Sequence, residues 1–239
     1  MASDYTIRES RRTKHVRLKV SLYDASLVVT VPHGFDRREI ASILAEKRQW
    51  IERMQKRVIE QREEFDPEPA HSLPDQIPLR AVGEQWTASY GPTPRRRSVE
   101  INRQDLRLVV SEDLAGDEVW RPLLRMWLSQ QARHHLVPWL RALSEQHDLP
   151  FERVLIKGQC TCWSSCSRKK TISVNYKLLF LPPGLVRYVL IHELCHTAQL
   201  DHSPKFWKLV HAHEPRCRIL DRELNAAWRY VPAWVDRGS

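Results

Sequence analysis

His192-Glu193-Leu194-Cys195-His196, with His202 six positions after the second histidine, is the stretch on which the reading of this chain turns. Residues four apart on a helix share a face, so His192 and His196 can offer two ring nitrogens to one metal ion. Glu193 stands beside the first histidine, placed to take a proton from a metal-activated water instead of binding the metal. Pro182-Pro183-Gly184 precedes this segment, and proline is tolerated in a first helical turn because its missing N–H would find no partner there. Leu185 and Val189 continue the stripe that carries the two histidines, with Val186, Leu190 and Leu194 beside it. Histidines on the border of an apolar stripe are costly to bury without partners, which favours a metal site over an ordinary core helix.

His202 has to come from a chain that has left the helix and turned back. Asp201-His202-Ser203-Pro204 is a turn-forming cluster, and Ser203-Pro204 suits the cap and first residue of a new helix. The gap between His196 and His202 equals that of H-E-x-x-H-x-x-G-x-x-H, but Gln199 stands where that pattern has glycine. Either Gln199 is strained or the helix ends differently. Glu214, Asp221 and Glu223 are the other candidates for a third ligand, and His202 asks least of the remaining fold. The expected site is one Zn2+ per chain on His192, His196 and His202, with an open fourth position and Glu193 as catalytic base.

Just upstream lies a cysteine cluster, Cys160-Thr161-Cys162-Trp163-Ser164-Ser165-Cys166, followed by Arg168-Lys169-Lys170. Its spacing differs from the paired C-x-x-C of zinc knuckles, so reduced thiols in a turn before a strand are expected in preference to a second metal site. The odd cysteine count, with one cysteine inside the motif helix and nothing at Met1 resembling an export signal, points to a reducing, cytoplasmic setting.

Four segments together resemble the YgjP-like metallopeptidase family, relatives of the SprT-like proteins. The family pattern runs R-W-G-S-C-S, I-x-x-N-x-x-L, H-E-L-x-H and N-H-S-x-x-F-W. Here it meets Cys162-Trp163-Ser164-Ser165-Cys166-Ser167, then Ile172-Ser173-Val174-Asn175 with Leu178, then the intact histidine motif, then Asp201-His202-Ser203-Pro204-Lys205-Phe206-Trp207. The resemblance extends to the basic amino-terminal strands and so over most of the chain. It implies zinc on His192, His196 and His202, with Glu193 as catalytic base. Cys162 replaces the family arginine, Ser164 its glycine and Asp201 its asparagine; these changes bear on substrate preference more than on the chemistry.

The implied fold class is α+β: a zincin-like catalytic lobe with an active-site helix and a small sheet, preceded by a β-rich amino-terminal lobe with a long helix. The sequence places the division at 1–115 and 116–239. Val16, Leu18 and Val20 alternate with Arg17 and Lys19 as a half-exposed strand, and Leu27 to Val31 form a buried one ending at Pro32. Asp36 and Glu39 suggest a capping box opening a long helix through Ile40, Ile43, Met54 and Val58. Phe65 to Pro78 reads as a linker or loop, and strands are expected near Val99–Ile101 and Leu106–Val110. A helix from Trp120 to Leu143 follows, with Pro138 expected to kink or divide it. Short strands at Val154–Ile156 and Ile172–Val174 flank the cysteine turn, the second ending at Asn175 as the candidate edge for pairing with an extended substrate. Trp207, Trp228 and Trp234 read as packing residues.

With 239 residues and 42% hydrophobic content, the chain has enough apolar side chains for a substantial core, and no apolar run reaches the length of a membrane span. The formal charge of +9 attracts polyanions, through Arg8, Arg11, Arg12, Lys14, Arg17 and Lys19, through Arg95-Arg96-Arg97, and through Arg168-Lys169-Lys170. The expected activity is zinc-dependent hydrolysis of peptide bonds. Tyr176, Tyr230, His211 and Arg187 are the candidates for a second donor to the oxyanion. The same residues could instead hydrolyse phosphoanhydrides, as in a nucleoside triphosphate pyrophosphatase, although a Gly-rich phosphate loop is lacking. A third reading is a nucleic-acid-binding module with structural zinc, in which Glu193 would be superfluous. The partners expected are a protein or peptide substrate, with nucleic acid or nucleotide contact through the basic patches and no membrane; the sequence sets no oligomeric state.

Overall fold

A computed structural model of the chain describes residues 5–11, 13–20, 25–65, 72–116, 119–159 and 162–235. Cys160, Arg12 and residues 66–71 of the Phe65–Pro78 stretch lie outside the described residues. Within them are six α-helices and three small sheets, an α+β architecture. The chain divides into two compact units, Met1–Pro67 with Trp228–Asp236, and Glu68–Ala227 with Arg237–Ser239.

The first unit begins with a three-stranded sheet of β1 (Tyr5–Ser10), β2 (Arg17–Val20) and β3 (Leu27–Pro32), in the order β1-β3-β2. Leu27, Val29 and Val31 alternate along β3 and are buried, with Ile7 and Leu18 packed against them. The opposite face follows from the period of two. Arg8 and Arg17 both pair with Thr30, while Thr6 and Lys19 both pair with Val28. Three exposed cations and two threonines therefore share that face, and among the described strand residues no carboxylate does. The sequence reading passed over β1 because Tyr5, Ile7 and Glu9 do not form an apolar alternation.

The helix expected from Asp36 onwards is two helices, α1 (Glu39–Glu46) and α2 (Arg48–Phe65), separated at Lys47. Ile40, Ile51 and Val58 are their buried residues in the core against β3. No capping box forms. The cap of α1 is Arg38, without a side-chain bond, and Asp36 instead accepts from the Arg38 and Glu39 amides at 3.0 and 3.1 Å, closing the turn before the helix.

The second unit opens with β4 (Gln76–Leu79), β5 (Glu84–Gly91), β6 (Val99–Asn102) and β7 (Arg107–Ser111), ordered β4-β5-β7-β6. Thus the end of the expected Phe65–Pro78 loop is a strand, with Ile77 and Leu79 fully buried. Where the sequence reading divided the chain after residue 115, compactness groups this sheet with the carboxy-terminal elements. Ala81 donates to the Leu179 carbonyl at 3.0 Å, and Trp86 of β5 meets Trp127 edge-to-face at 5.1 Å between ring centroids. Trp127 belongs to α3 (Trp120–His147), which runs through Pro138 undivided. Proline removes one bond to the carbonyl four residues back, but Pro138 and His134 both lie on the exposed face, where water can donate to the freed carbonyl.

The third sheet consists of β8 (Arg153–Lys157), β9 (Ser164–Cys166) and β10 (Thr171–Asn175). β10 is its centre, parallel to β8 and antiparallel to β9. The expectation that β10 offers a free edge is therefore corrected: both its edges are taken, and β9 is the strand packed by the histidine-bearing helix. Near-continuous burial of Ile172, Ser173, Val174 and Asn175 fits a central position. Asn175, fully buried, ties down the loop between β8 and β9. Its Nδ2 donates to the carbonyls of Gln159 and Cys162 at 2.8 and 2.9 Å, and its Oδ1 accepts from the Lys177 amide at 3.1 Å. Gly158 opens this loop because a Cβ there would stand 2.4 Å from the Tyr176 ring.

Three hydrogen bonds converge on one buried amide, so Asn175→Ala removes all three at once, the Gln159 carbonyl keeping the Lys177 ammonium at 2.9 Å. The expected cost is about 2–4 kcal/mol of unfolding free energy, measured as a lowered midpoint at constant slope in urea titration; an unchanged midpoint would show that the loop does not depend on this side chain.

Candidate metal centre

Helix α4 (Pro183–Cys195) carries the histidine motif, and its interior is buried on nearly every side, from Leu185 and Val186 through Leu190, Ile191 and Leu194. His192 is half-buried and His196 buried. The helix ends at Cys195, with His196 as its cap. Thr197 and Ala198 then donate to the Leu194 and Cys195 carbonyls at 2.9 and 3.1 Å, a tightened last turn. Gln199 keeps a negative φ. The missing glycine is thus met by a different helix ending and not by strain, and Gln199 gains a role: its carbonyl lies 2.9 Å from His196 Nδ1. That contact makes Nδ1 the protonated nitrogen and leaves Nε2 free to ligate.

The chain reverses at Asp201, whose carboxylate accepts from the Ser203 amide at 3.3 Å, and enters α5 (Pro204–His213) with Ser203 as cap to the Phe206 amide. His202 is thereby brought back. Its Nε2 lies 3.2 Å from His192 Nε2, and the candidate ligand atoms of His192, His196 and His202 all fall within 4.8 Å of one another. Two nitrogens bound to one tetrahedral zinc at about 2.05 Å stand about 3.3 Å apart. Phe206 stacks on the His196 ring, centroids 4.3 Å apart and planes at 19°. Burial and the neighbouring imidazoles push His192 down to about 3, and burial lowers His196 also. Both rings are held neutral, the form in which imidazole binds metal. Number, type and spacing of the donors all fit a zinc ion.

Glu193 is 5% exposed and points into the same cleft, a cavity of about 290 Å³ that also meets Trp163, Ser164 and Tyr188. The Ser164 hydroxyl on β9 donates to Glu193 Oε1 at 2.7 Å, whereas Oε2 is buried with no hydrogen-bond partner. Burial pushes this carboxyl up to about 7, against the lowering effect of Ser164.

The alternative third ligands have other engagements. Glu214 is ion-paired with Arg187. Asp221, on α6 (Cys217–Asn225), accepts from the Tyr188 hydroxyl at 2.9 Å, and that hydroxyl lies 3.5 Å from His192 Nδ1. Glu223 is exposed. Of the four suggested oxyanion donors, Tyr176 packs against Gly158, Arg187 is taken by Glu214, and His211 lies 3.9 Å from the Cys217 thiol. Tyr230 belongs to the other compact unit. Cys162 lines the cleft, but among the described residues the three histidines are the group able to hold a metal, and neither Cys162 nor Cys166 joins them. Ser164 and Tyr188 escaped notice as site residues, and Asp221, weighed as a third ligand, instead holds the Tyr188 hydroxyl. Only Tyr188 carried a signal, lying one helical turn before His192.

Among solved structures, the chain is similar to the metallopeptidase zymogen of Pyrococcus abyssi abylysin, at 27% identity over 36% of this chain and 89% of that one, with a TM-score of 0.33. It is likewise similar to the metallopeptidase zymogen of Methanocaldococcus jannaschii jannalysin, at 18% identity over the same shares, with a TM-score of 0.32. No curated protein matches. The family model of the YgjP-like metallopeptidase domain matches residues 14–227, nearly the full length over which the motif, the cleft and the strands around them are laid out, and the chain belongs to that family.

Proposed function

We propose that the chain is a zinc-dependent peptidase in which His192, His196 and His202 hold the metal and Glu193 is the general base. The observation that carries this reading is the split of Glu193: one oxygen anchored by Ser164, the other buried, unpartnered and adjoining the cleft. His192, His196 and His202 would hold the zinc, which when bound would supply Lewis-acid activation of water and positive charge for the oxygen that becomes anionic. Glu193 takes the proton of the attacking water on Oε2 and returns it to the leaving amine. Burial raises this carboxyl and the Ser164 hydrogen bond opposes the rise, and a bound zinc would favour the ionised form that accepts the proton. Ser164 keeps Oε1 in place through both steps. The Gln199 carbonyl and Tyr188 orient the His196 and His192 rings from their Nδ1 sides.

Glu193→Gln should retain one zinc per chain yet lose about 10²–10⁴-fold in kcat, while His196→Ala should lose the metal. Metal content by elemental mass spectrometry and turnover of unfolded protein substrates, measured on the same samples, check both; full activity in Glu193→Gln would end this mechanism. Tyr188→Phe should weaken zinc binding about tenfold, the low end for loss of a group that orients a ligand, because its hydroxyl stands 3.5 Å from Nδ1. Competition with a chromophoric chelator measures it.

The outer face of β1–β3 supports a second contact, with the phosphate backbone of nucleic acid. Arg8, Arg17 and Lys19 flank Thr30 and Val28 there, with no carboxylate or aromatic ring at these strand positions among the described residues, which suits phosphate contact without sequence preference. Replacing all three by glutamate should weaken binding of a fluorescent single-stranded oligonucleotide. The slope of log affinity against log salt should fall by about 2; an unaltered slope would remove this face from consideration.

A further inference from the structure

Helices α5 and α6 enclose a second cavity, about 820 Å³, larger than the cleft itself. Trp207, Lys208 and His211 line it from α5, and Arg218 and Asp221 from α6. Spacings of three and four residues put each set on one helical face. Two residues join this cavity to the metal centre. Asp221 lines both cavities. Trp207 lines the larger one while its ring centroid lies 5.9 Å from that of His192 and 6.0 Å from that of His202. A group entering between α5 and α6 is therefore about one side chain away from the candidate ligands.

The charge in this cavity is unbalanced. Asp221 is its only carboxylate, and that carboxylate is occupied by the Tyr188 hydroxyl. Glu214, at the end of α5, is taken by Arg187. Lys208 and Arg218 are exposed and make no ion pair among the described residues, and His211 adds positive charge when protonated. Two free cations behind a half-buried indole match a side chain with an apolar stem and an anionic end. An extended peptide advances about 3.3 Å per residue, so a side chain near the scissile bond can span the distance from the cleft.

We propose that the cavity between α5 and α6 is a substrate subsite for an acidic side chain, with Lys208 and Arg218 as its specificity-determining residues. This assignment rests on the peptidase reading above and deepens it. The residues act on binding and not on bond cleavage, so they discriminate substrates through the position of one charge along the peptide.

The test uses the zinc-loaded protein and one peptide sequence carrying Glu, phosphoserine, Gln or Lys in turn at each of three positions on either side of the cleaved bond. Cleavage is followed with the wild type, and binding with Glu193→Gln by fluorescence anisotropy, so that affinity is read without turnover. At one position, Glu and phosphoserine should be favoured over Lys about fivefold to tenfold, the range expected for two solvent-facing charge contacts. Phosphoserine above Glu would identify a phosphate as the preferred anion. Lys208→Gln with Arg218→Gln should flatten the ranking, and Lys208→Glu with Arg218→Glu should invert it, with metal content unchanged in both. Cleavage or binding that ignores charge at every position overturns the subsite and leaves the peptidase reading standing, as does a charge preference that survives the double reversal. If no peptide is cleaved or bound, the peptidase reading fails and the subsite with it.

Discussion

A helix buried on nearly all sides has to carry two imidazoles and a carboxylate through its last turn, and the surrounding elements answer that constraint. Desolvating Glu193 beside an apolar core would hold it protonated if nothing donated to it. β9 supplies the Ser164 hydroxyl for one oxygen and leaves the other without a hydrogen-bond partner. His196 is satisfied at Nδ1 by the chain that leaves its own helix, and at its ring face by Phe206 from the next one. α6 contributes Asp221, which fixes Tyr188 beside His192. Strand, turn and two helices are thus arranged around one turn of α4, each covering a different atom of it.

Support reaches further back through Asn175. Its amide fixes the loop carbonyls of Gln159 and Cys162, and its own N–H donates to Trp163 at 3.0 Å, next to the serine that anchors Glu193. The β10 strand is therefore central in two senses, lying between β8 and β9 and setting the height at which β9 meets α4.

The motif on α4 was legible because its spacing is local: four residues on a helix need no knowledge of the remaining chain. The return of His202 was legible for the same reason, since cap and proline lie next to it. The edge position of β10 was misread because strand order is a long-range property, and a three-residue strand, Ser164–Cys166, carries almost no apolar pattern. β4 and β5 were passed over for related reasons. In β5 only Trp86, Ala88 and Tyr90 alternate with polar residues, and β4 begins within a stretch whose proline and acid content reads as loop. Pro138 misled in the opposite direction. A local breaker was overridden by ten buried positions along α3, whose packing outweighs one lost hydrogen bond on the solvent side.

The departures from the family pattern acquire different weights in three dimensions. Asp201 accepts from the Ser203 amide as an asparagine side chain could, so the turn that returns His202 is unchanged in kind. Ser164 is different. A glycine there has no hydroxyl, and Glu193 would lose the donor that holds Oε1 and opposes the upward pull of burial. Serine makes the carboxyl more readily ionised and fixes one of its oxygens, as the proposed base requires. Cys162 lines the cleft without the charge of the arginine it replaces. Lys208 and Arg218 stand on the other side, in the cavity that shares Asp221 with the cleft. On the proposed reading, tuning of the base and selection of the substrate fall to different elements, β9 for the first and α5 with α6 for the second, so either could change without disturbing the three histidines.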